Sequence, residues 1–317
     1  RVDGVLQEQV MKEKRISAPL VLRLKLMAGL NISDKRLPQD GRFSLIVKKR
    51  KIDVRLSTMP IENGESVVMR LLDQTDGAAE LDNVGMPEDV LKRFRRLIHM
   101  PHGLILVTGP TGSGKTTTLY GALQELNDVG KKIITVEDPV EYRLHRINQV
   151  QVNTKINLTF ARVLRAALRQ DPDIILVGEI RDTETAEIAL RAAMTGHLVL
   201  STLHTNDAVS SAMRLVDMGA EGFLAATAIK AVVAQRLVRR LCDNCYTDYH
   251  PSPQESIWLA EQLGDAAAKA MKLKNPSGCH RCNNTGYRGR IGVFELLVLN
   301  DEMADAPSRH PAAHTRE

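Results

Sequence analysis

The stretch Gly103-Leu104-Ile105-Leu106-Val107-Thr108-Gly109-Pro110-Thr111-Gly112-Ser113-Gly114-Lys115-Thr116-Thr117 decides how this chain folds. A short apolar run of β-forming residues ends on a glycine-rich turn of the pattern G-x-x-x-x-G-K-[ST], and a helical period opens at Lys115. Strand, loop and helix in that order are the setting that makes such a pattern a phosphate-binding loop. Gly109, Pro110, Thr111, Gly112, Ser113 and Gly114 let successive backbone N–H groups turn toward one point, where the helix N-terminus adds partial positive charge. Lys115 supplies a compact charge for the β- and γ-phosphates, the Thr116 hydroxyl is a ligand for Mg²⁺, and Thr117 completes the nucleotide-binding set.

Outward from this loop the pattern alternates. Residues 132–136, 173–177 and 198–203 are further short runs rich in Val, Ile and Leu, and helical periods cover 115–127, 160–169 and 183–194. Alternation of this kind predicts a mainly parallel sheet with helices on its faces. Two more helices are expected, near 208–218 and 223–240. Upstream, 18–30 has helical spacing, 43–47 and 52–56 are β-type runs around the basic turn 48–51, and 67–72 is another strand. Residues 73–89, rich in Gly, Ala, Asn, Asp and Pro, read as an interdomain linker.

Hydrolysis needs a group that orients or deprotonates water. Two carboxylates follow apolar runs, where an open parallel sheet puts its ligand-facing residues. Glu179 ends Leu176-Val177-Gly178-Glu179, with Gly178 where most phosphate-loop enzymes carry an Asp. Glu137 ends the run 133–136. The pair offers a base and a metal or water ligand without revealing which is which, and either could instead cap a helix or pair with Arg181. His204, after the run 198–203, suits a γ-phosphate sensor. His197, at the start of that run, reads as structural.

Cys242-x-x-Cys245 and Cys279-x-x-Cys282 form two C-x₂-C pairs with 33 residues between them. Such pairs can hold one tetrahedral Zn²⁺, with no position left for water and hence a structural role. Free thiols or a redox dithiol are the other readings. Gly278 and Gly286 flank the second pair, and His280 lies inside it.

Composition narrows the classes. The 317 residues carry a net charge of +5, 43% are hydrophobic and 3% aromatic. No run of about 20 apolar residues could cross a bilayer, and no signal peptide is evident. Four cysteines are too few for a disulfide scaffold. The first hundred residues hold 19 Lys and Arg against 14 Asp and Glu. The basic residues alternate with acidic ones, and scarce aromatics disfavour a single-stranded nucleic-acid partner. The opening Arg1 suggests a piece of a longer protein.

Four blocks together resemble the GspE/PilB group of secretion ATPases, which serve type II secretion and type IV pilus assembly. They are the loop 109–116, Val136-Glu137-Asp138-Pro139-Val140-Glu141, Leu176-Val177-Gly178-Glu179-Ile180-Arg181-Asp182, and the histidine block from Thr195-Gly196-His197 to Asp207. The resemblance covers residues 1 to about 300. It implies an α/β fold: a small PAS-like N-terminal domain (1–75, truncated at its start), a linker and helix (76–100), a RecA-like ATPase core (101–241), and a tetracysteine zinc subdomain with a return to the core (242–300). A disordered tail (301–317) stands where relatives carry a helical extension.

By the same resemblance Glu179 is the catalytic glutamate and Glu137 a second essential carboxylate. Arg55 and Arg70 align with arginines presented to the phosphates of the same or a neighbouring subunit. The implied protein is a homo-hexameric motor using ATP, Mg²⁺ and Zn²⁺. It is cytoplasmic, reaches the inner membrane only indirectly through a platform protein, and leans toward the mannose-sensitive-haemagglutinin pilus type. A RecA-like nucleic-acid translocase and an ATP-binding scaffold without turnover are the alternatives.

Overall fold

The computed structural model describes residues 2–10, 12–73 and 80–299. The centre of the expected linker and the tail 301–317 lie outside them. The described residues divide into two compact units, one within 8–235 and 294–299, the other within 2–7 and 236–293.

The larger unit starts with helix α1 (Ser17–Met27) and an antiparallel meander, β1 (Gln39–Val47), β2 (Arg50–Ile61) and β3 (Gly64–Asp73). The β1–β2 turn is made by Lys48 and Lys49, both at positive φ (48° and 65°). Two adjacent left-handed residues match the twist of a tight hairpin. Val54, Leu56 and Thr58 of β2 are buried, alternating with more exposed residues as the pleat requires. Lys25 of α1 is buried as well, and its ammonium meets Glu65 Oε1 at 2.6 Å and the Asp34 carbonyl at 2.8 Å.

Helix α2 (Glu88–Ile98) leads into a seven-stranded sheet. Its strands are β4 (Gly103–Thr108), β5 (Ile133–Glu137), β6 (Asn148–Gln151), β7 (Ile174–Val177), β8 (Leu198–Leu203), β9 (Ile229–Leu241) and β12 (Tyr287–Val298), in the order β12-β9-β4-β8-β7-β5-β6. The pairs β9–β4, β4–β8, β8–β7, β7–β5 and β5–β6 are all parallel. Every residue of β4, β5, β7 and β8 is buried. Alternation then sorts side chains to two layers. Leu104 and Leu106 pack under α4 (Phe160–Ala167), α5 (Thr183–Met194), α6 (Ala208–Asp217) and α7 (Gly222–Ala228), while Ile105 and Val107 pack under α2 and α3 (Lys115–Leu126). Among the described residues no helix is long and apolar enough to cross a membrane.

One expectation is corrected. The helix anticipated over 223–240 stops at Ala228, and β9 follows. The run Ile229-Lys230-Ala231-Val232-Val233-Ala234 pairs parallel with β4, with a bulge after Ile229 and alternating faces from Ala231 to Ala234, and buried β-branched residues favour that lattice over a helix.

In the smaller unit, β10 (Tyr246–Tyr249) pairs antiparallel with β11 (Leu273–Pro276), and α8 (Pro253–Leu263) and α9 (Asp265–Ala270) fill the connection. Ser252 and Glu255 cap α8 reciprocally.

Removal of the Glu65 carboxylate leaves the Lys25 ammonium buried beside a single carbonyl. Glu65→Ala is therefore expected to lower stability by about 3 kcal/mol in denaturant unfolding, and exchanging the pair for Met and Leu to cost far less. An unchanged midpoint for Glu65→Ala would exclude this account of the pair.

Candidate nucleotide site and tetracysteine centre

The parallel register brings the carboxyl ends of β4, β8, β7 and β5 side by side, and with them most of the residues singled out in the sequence. The loop after β4 is shaped by Gly109 (φ 142°), Gly112 (φ 80°) and Gly114 (φ 90°), conformations that residues with a Cβ rarely adopt. At Gly109 space is also lacking: a Cβ there would lie 2.2 Å from the Gln235 carbonyl and 2.7 Å from Ser113 Oγ. Helices α4, α5 and α6 are capped by the side chains of Thr159, Asp182 and Asp207. The cap of α3 is Gly114, which has no side chain to occupy the N–H groups of the first turn. Lys115 is buried, with Nζ 2.7 Å from the Gly109 carbonyl and 3.2 Å from that of Pro110. Burial lowers its pKa, and the nearby Glu179 carboxylate works the other way. Thr111, Gly112, Thr116 and Thr117 are exposed along the rim. A cradle that excludes a Cβ, a convergent helix start and one lysine fit a polyphosphate.

Gln235, which sequence reasoning missed, braces this loop. Its amide donates to the Ser113 carbonyl (2.7 Å) and its oxygen accepts from Thr118 Oγ1 (2.8 Å), tying β9 to the loop and to α3. The available signal was one amide at the end of the apolar run 229–234, obscured by the helical reading of that segment.

Glu179 lies beyond β7 with its side chain 11% exposed. One oxygen pairs with Arg181 Nη2 at 2.5 Å, and the other is 3.5 Å from His204 Nε2. The hydrogen bond and charge of Glu179 raise the Arg181 pKa. Gly178 explains the missing Asp. Its N–H donates to the Val136 carbonyl (2.7 Å), and a Cβ would come within 3.1 Å of that oxygen and 3.3 Å of Glu137 Cα. Ser201 and Thr202 of β8 donate to the carbonyls of Val177 (2.8 Å) and Gly178 (2.7 Å), fixing the backbone that presents Glu179. His204 is half-exposed, whereas His197 Nδ1 lies 3.1 Å from the Ala192 carbonyl at the end of α5.

Glu137 stands apart from that cluster. It is 4% exposed, and its carboxylate accepts hydrogen bonds from Tyr120, from Thr135 Oγ1 (2.5 Å) and from Gln149 Nε2 (3.2 Å). Arg55 lies opposite Arg42 on one side and Arg70 on the other, so three arginines share a row on one face of the N-terminal sheet. Like charges directly opposite one another are unfavourable. Arg55 is held by the Val140 carbonyl (3.0 Å) and Glu141 (2.9 Å), and Arg42 reaches Gln151 (3.5 Å). These residues line a cleft of about 440 Å³ between the sheet and the segment 140–143. Among the described residues no hydrogen bond or ion pair links Arg55 or Arg70 to the phosphate cradle.

The smaller unit gathers the four cysteines. Pairing of Tyr246 with Pro276 closes the long intervening segment into a hairpin, so Cys245 and Cys279 lie just beyond its two ends. The Gly286 carbonyl accepts the Cys242 N–H (2.9 Å), and a Cβ on Gly286 would strike Pro276 at 2.4 Å. The Sγ atoms of Cys242 and Cys279 are 3.9 Å apart, those of Cys245 and Cys282 3.8 Å, and all four lie within 4.8 Å of one another. Four thiolates about 2.3 Å from a tetrahedral ion would stand about 3.8 Å apart, so the set fits Zn²⁺. Backbone N–H groups of Gly278, Cys279 and Gly286 point at these sulfurs. Burial raises the Cys282 thiol, but the N–H groups of Cys279 and Gly286 more than offset this and bring it down to about 6. Burial pushes Cys245 up to about 11.

Comparison with known proteins agrees with this architecture. The family model of the Type II/IV secretion system protein matches residues 1–315. The chain is 55% identical over 309 residues to the type II secretion system protein E of Pectobacterium carotovorum subsp. carotovorum, covering 98% of this chain and 61% of that one. It is 52% identical over 306 residues to the type II secretion system ATPase E of Vibrio cholerae serotype O1, covering 96% and 60%. It thus spans about three-fifths of the length of these relatives. Among solved structures, the pilus retraction motor PilT with bound ADP matches with a TM-score of 0.60 and 32% identity, over 85% of this chain and 66% of that one. The ATPase DotB of Legionella pneumophila matches in fold, with a TM-score of 0.67 and 22% identity over 97% and 76%. The phosphate cradle, the parallel sheet around it and a match along almost the whole sequence lead to one conclusion: the chain belongs to the Type II/IV secretion system protein family.

Proposed function

We propose that this chain is the motor portion of a secretion or pilus-assembly machine that hydrolyses ATP to ADP and phosphate. The observation that carries the reading is the presence of the phosphate cradle and Glu179 at the carboxyl ends of β4 and β7 of one parallel sheet, with β8 and its His204 between them and His204 3.5 Å from Glu179. The loop N–H groups and Lys115 hold the β- and γ-phosphates of ATP, and the rim hydroxyls of Thr116 and Thr117 face the same substrate. Thr116 would hold Mg²⁺, which when bound neutralises phosphate charge. Glu179 orients the attacking water and accepts its proton, with Arg181 and His204 keeping the carboxylate in place. His204 is also placed to respond to the departing phosphate.

Arg55 and Arg70, permanently charged and flat, are suited to stabilising charge on the transferred phosphoryl group. The Arg42–Arg55–Arg70 row calls for an anion, and a neighbouring subunit's nucleotide in a hexamer would supply one. The tetracysteine centre holds a structural Zn²⁺. The names of the relatives support a type II secretion role. In that role the chain would work on a membrane platform protein from the cytoplasmic face of the inner membrane.

Phosphate release by the purified chain with Mg²⁺-ATP tests the reading. Glu179→Gln is expected to lower kcat by about 10²–10⁴-fold while nucleotide still binds; full activity in that variant would sink the assignment. Gln235→Ala strips partners from the Ser113 carbonyl and Thr118, and should weaken nucleotide binding about tenfold in a fluorescence titration, in keeping with a loss of about 1–3 kcal/mol. Elemental analysis should find one zinc per chain, lost together with thermal stability when Cys245 and Cys282 are both changed to Ser. Metal-free protein of unchanged stability would rule out the zinc centre.

A further inference from the structure

Beneath the phosphate cradle lies a polar cluster that none of these steps uses. Tyr120 of α3 is fully buried. Its hydroxyl donates to Glu137 Oε2 and accepts the Glu141 N–H at 3.3 Å. Gln149 of β6 sends its amide to Glu137 Oε1 (3.2 Å) and the Tyr142 carbonyl (3.2 Å), and approaches the Tyr120 hydroxyl at 3.5 Å. Its oxygen accepts from Leu144 N–H at 2.7 Å. The Tyr120 and Tyr142 rings pack edge to face with centroids 4.6 Å apart. Residues 138–142 are thereby tied down at both ends, and Val140 and Glu141 in that same segment grip Arg55.

One hydrogen bond would satisfy a buried phenol placed only for packing. This one joins a carboxylate at a strand tip to the backbone of the segment that holds Arg55, and it sits on the helix whose first residues are Lys115 and Thr116. Burial and the Glu137 charge push the phenol up, so it keeps its proton and remains a donor. A charge-assisted bond to a desolvated carboxylate is among the stronger ties available. Helix α3 is stiff, so displacement at its phosphate end shifts Tyr120 and both of its partners together.

We propose that Tyr120 is a positioning residue whose hydroxyl sets Glu137 and the Arg55-holding segment 138–142 in register with the phosphate cradle, Gln149 serving as the second tie. The proposal rests on the reading of the chain as an ATP hydrolase. It assigns Tyr120 an effect on turnover and little effect on nucleotide affinity.

The test compares Tyr120→Phe, Arg55→Ala and the double variant in the assembled protein. Tyr120→Phe is expected to lower kcat about tenfold, with KM and the Kd for ADP within about twofold of the starting protein. The double variant should be no slower than Arg55→Ala alone, because the segment that Tyr120 positions then has no Arg55 left to hold. Normal turnover in Tyr120→Phe, a loss lying mainly in Kd, or losses that multiply in the double variant would overturn the proposal. Amide exchange across 138–142 provides a readout that does not depend on hydrolysis. It should rise about tenfold in Tyr120→Phe, and unchanged exchange overturns the proposal even in a protein without turnover. If the unaltered protein binds ATP and releases no phosphate, the hydrolase reading fails, and the exchange result still decides whether the tie exists.

Discussion

The structure depends on one close approach of backbone to backbone. To aim several N–H groups at one point, the chain between β4 and α3 must turn so tightly that Gly109 rests against the carbonyl of Gln235 on the neighbouring strand. A loop pressed that closely requires β9 at its side, and a parallel β9 needs a return connection across the sheet. The position of β4 between β8 and β9 is therefore tied to the geometry of the cradle. Once β4 is central and every neighbour parallel, the carboxyl ends of β7 and β8 carry Glu179 and His204 to the same edge.

Around that edge the polar side chains serve one another. Glu179 is shared between Arg181 and His204, Glu137 among Tyr120, Thr135 and Gln149. The two carboxylates follow adjacent strands, and Glu179 is the one that meets His204 beyond β8. Gly178's lack of a side chain lets the β7 tip lie against the β5 tip, where the Glu137 carboxylate is held by Tyr120 of α3. The tetracysteine unit follows a different logic. Helices α8 and α9 bury no residue completely, and the four sulfurs and the short hairpin supply the order that a core supplies in the larger unit.

Much of this was legible in order. The buried strands 103–108, 174–177 and 198–203 follow from short runs rich in Val, Ile and Leu, and α3, α5 and α6 from the helical spans expected over 115–127, 183–194 and 208–218. The segment 229–240 was misread because an apolar run alone does not distinguish a buried helix from a buried strand; pairing with β4 supplies the distinction. Tyr120 and Gln149 were invisible for a related reason. A tyrosine inside an amphipathic helix looks like core, and its hydrogen-bond partners lie 17 and 29 residues away on other strands.

The sequence by itself determined the chemistry that must be local: a glycine loop with its lysine, a glutamate after a buried strand, and cysteines spaced to chelate in pairs. Each of these is carried by a few consecutive residues whose backbone preferences act without help from distant parts of the chain. Only the tertiary structure decided how those pieces meet. It selected β9 over a helix, set Gln235 against the loop, kept Glu137 apart from Glu179 and aligned Arg42, Arg55 and Arg70 in one row. Strand order and register are set by burial summed over the whole sheet, and no single segment contains that sum.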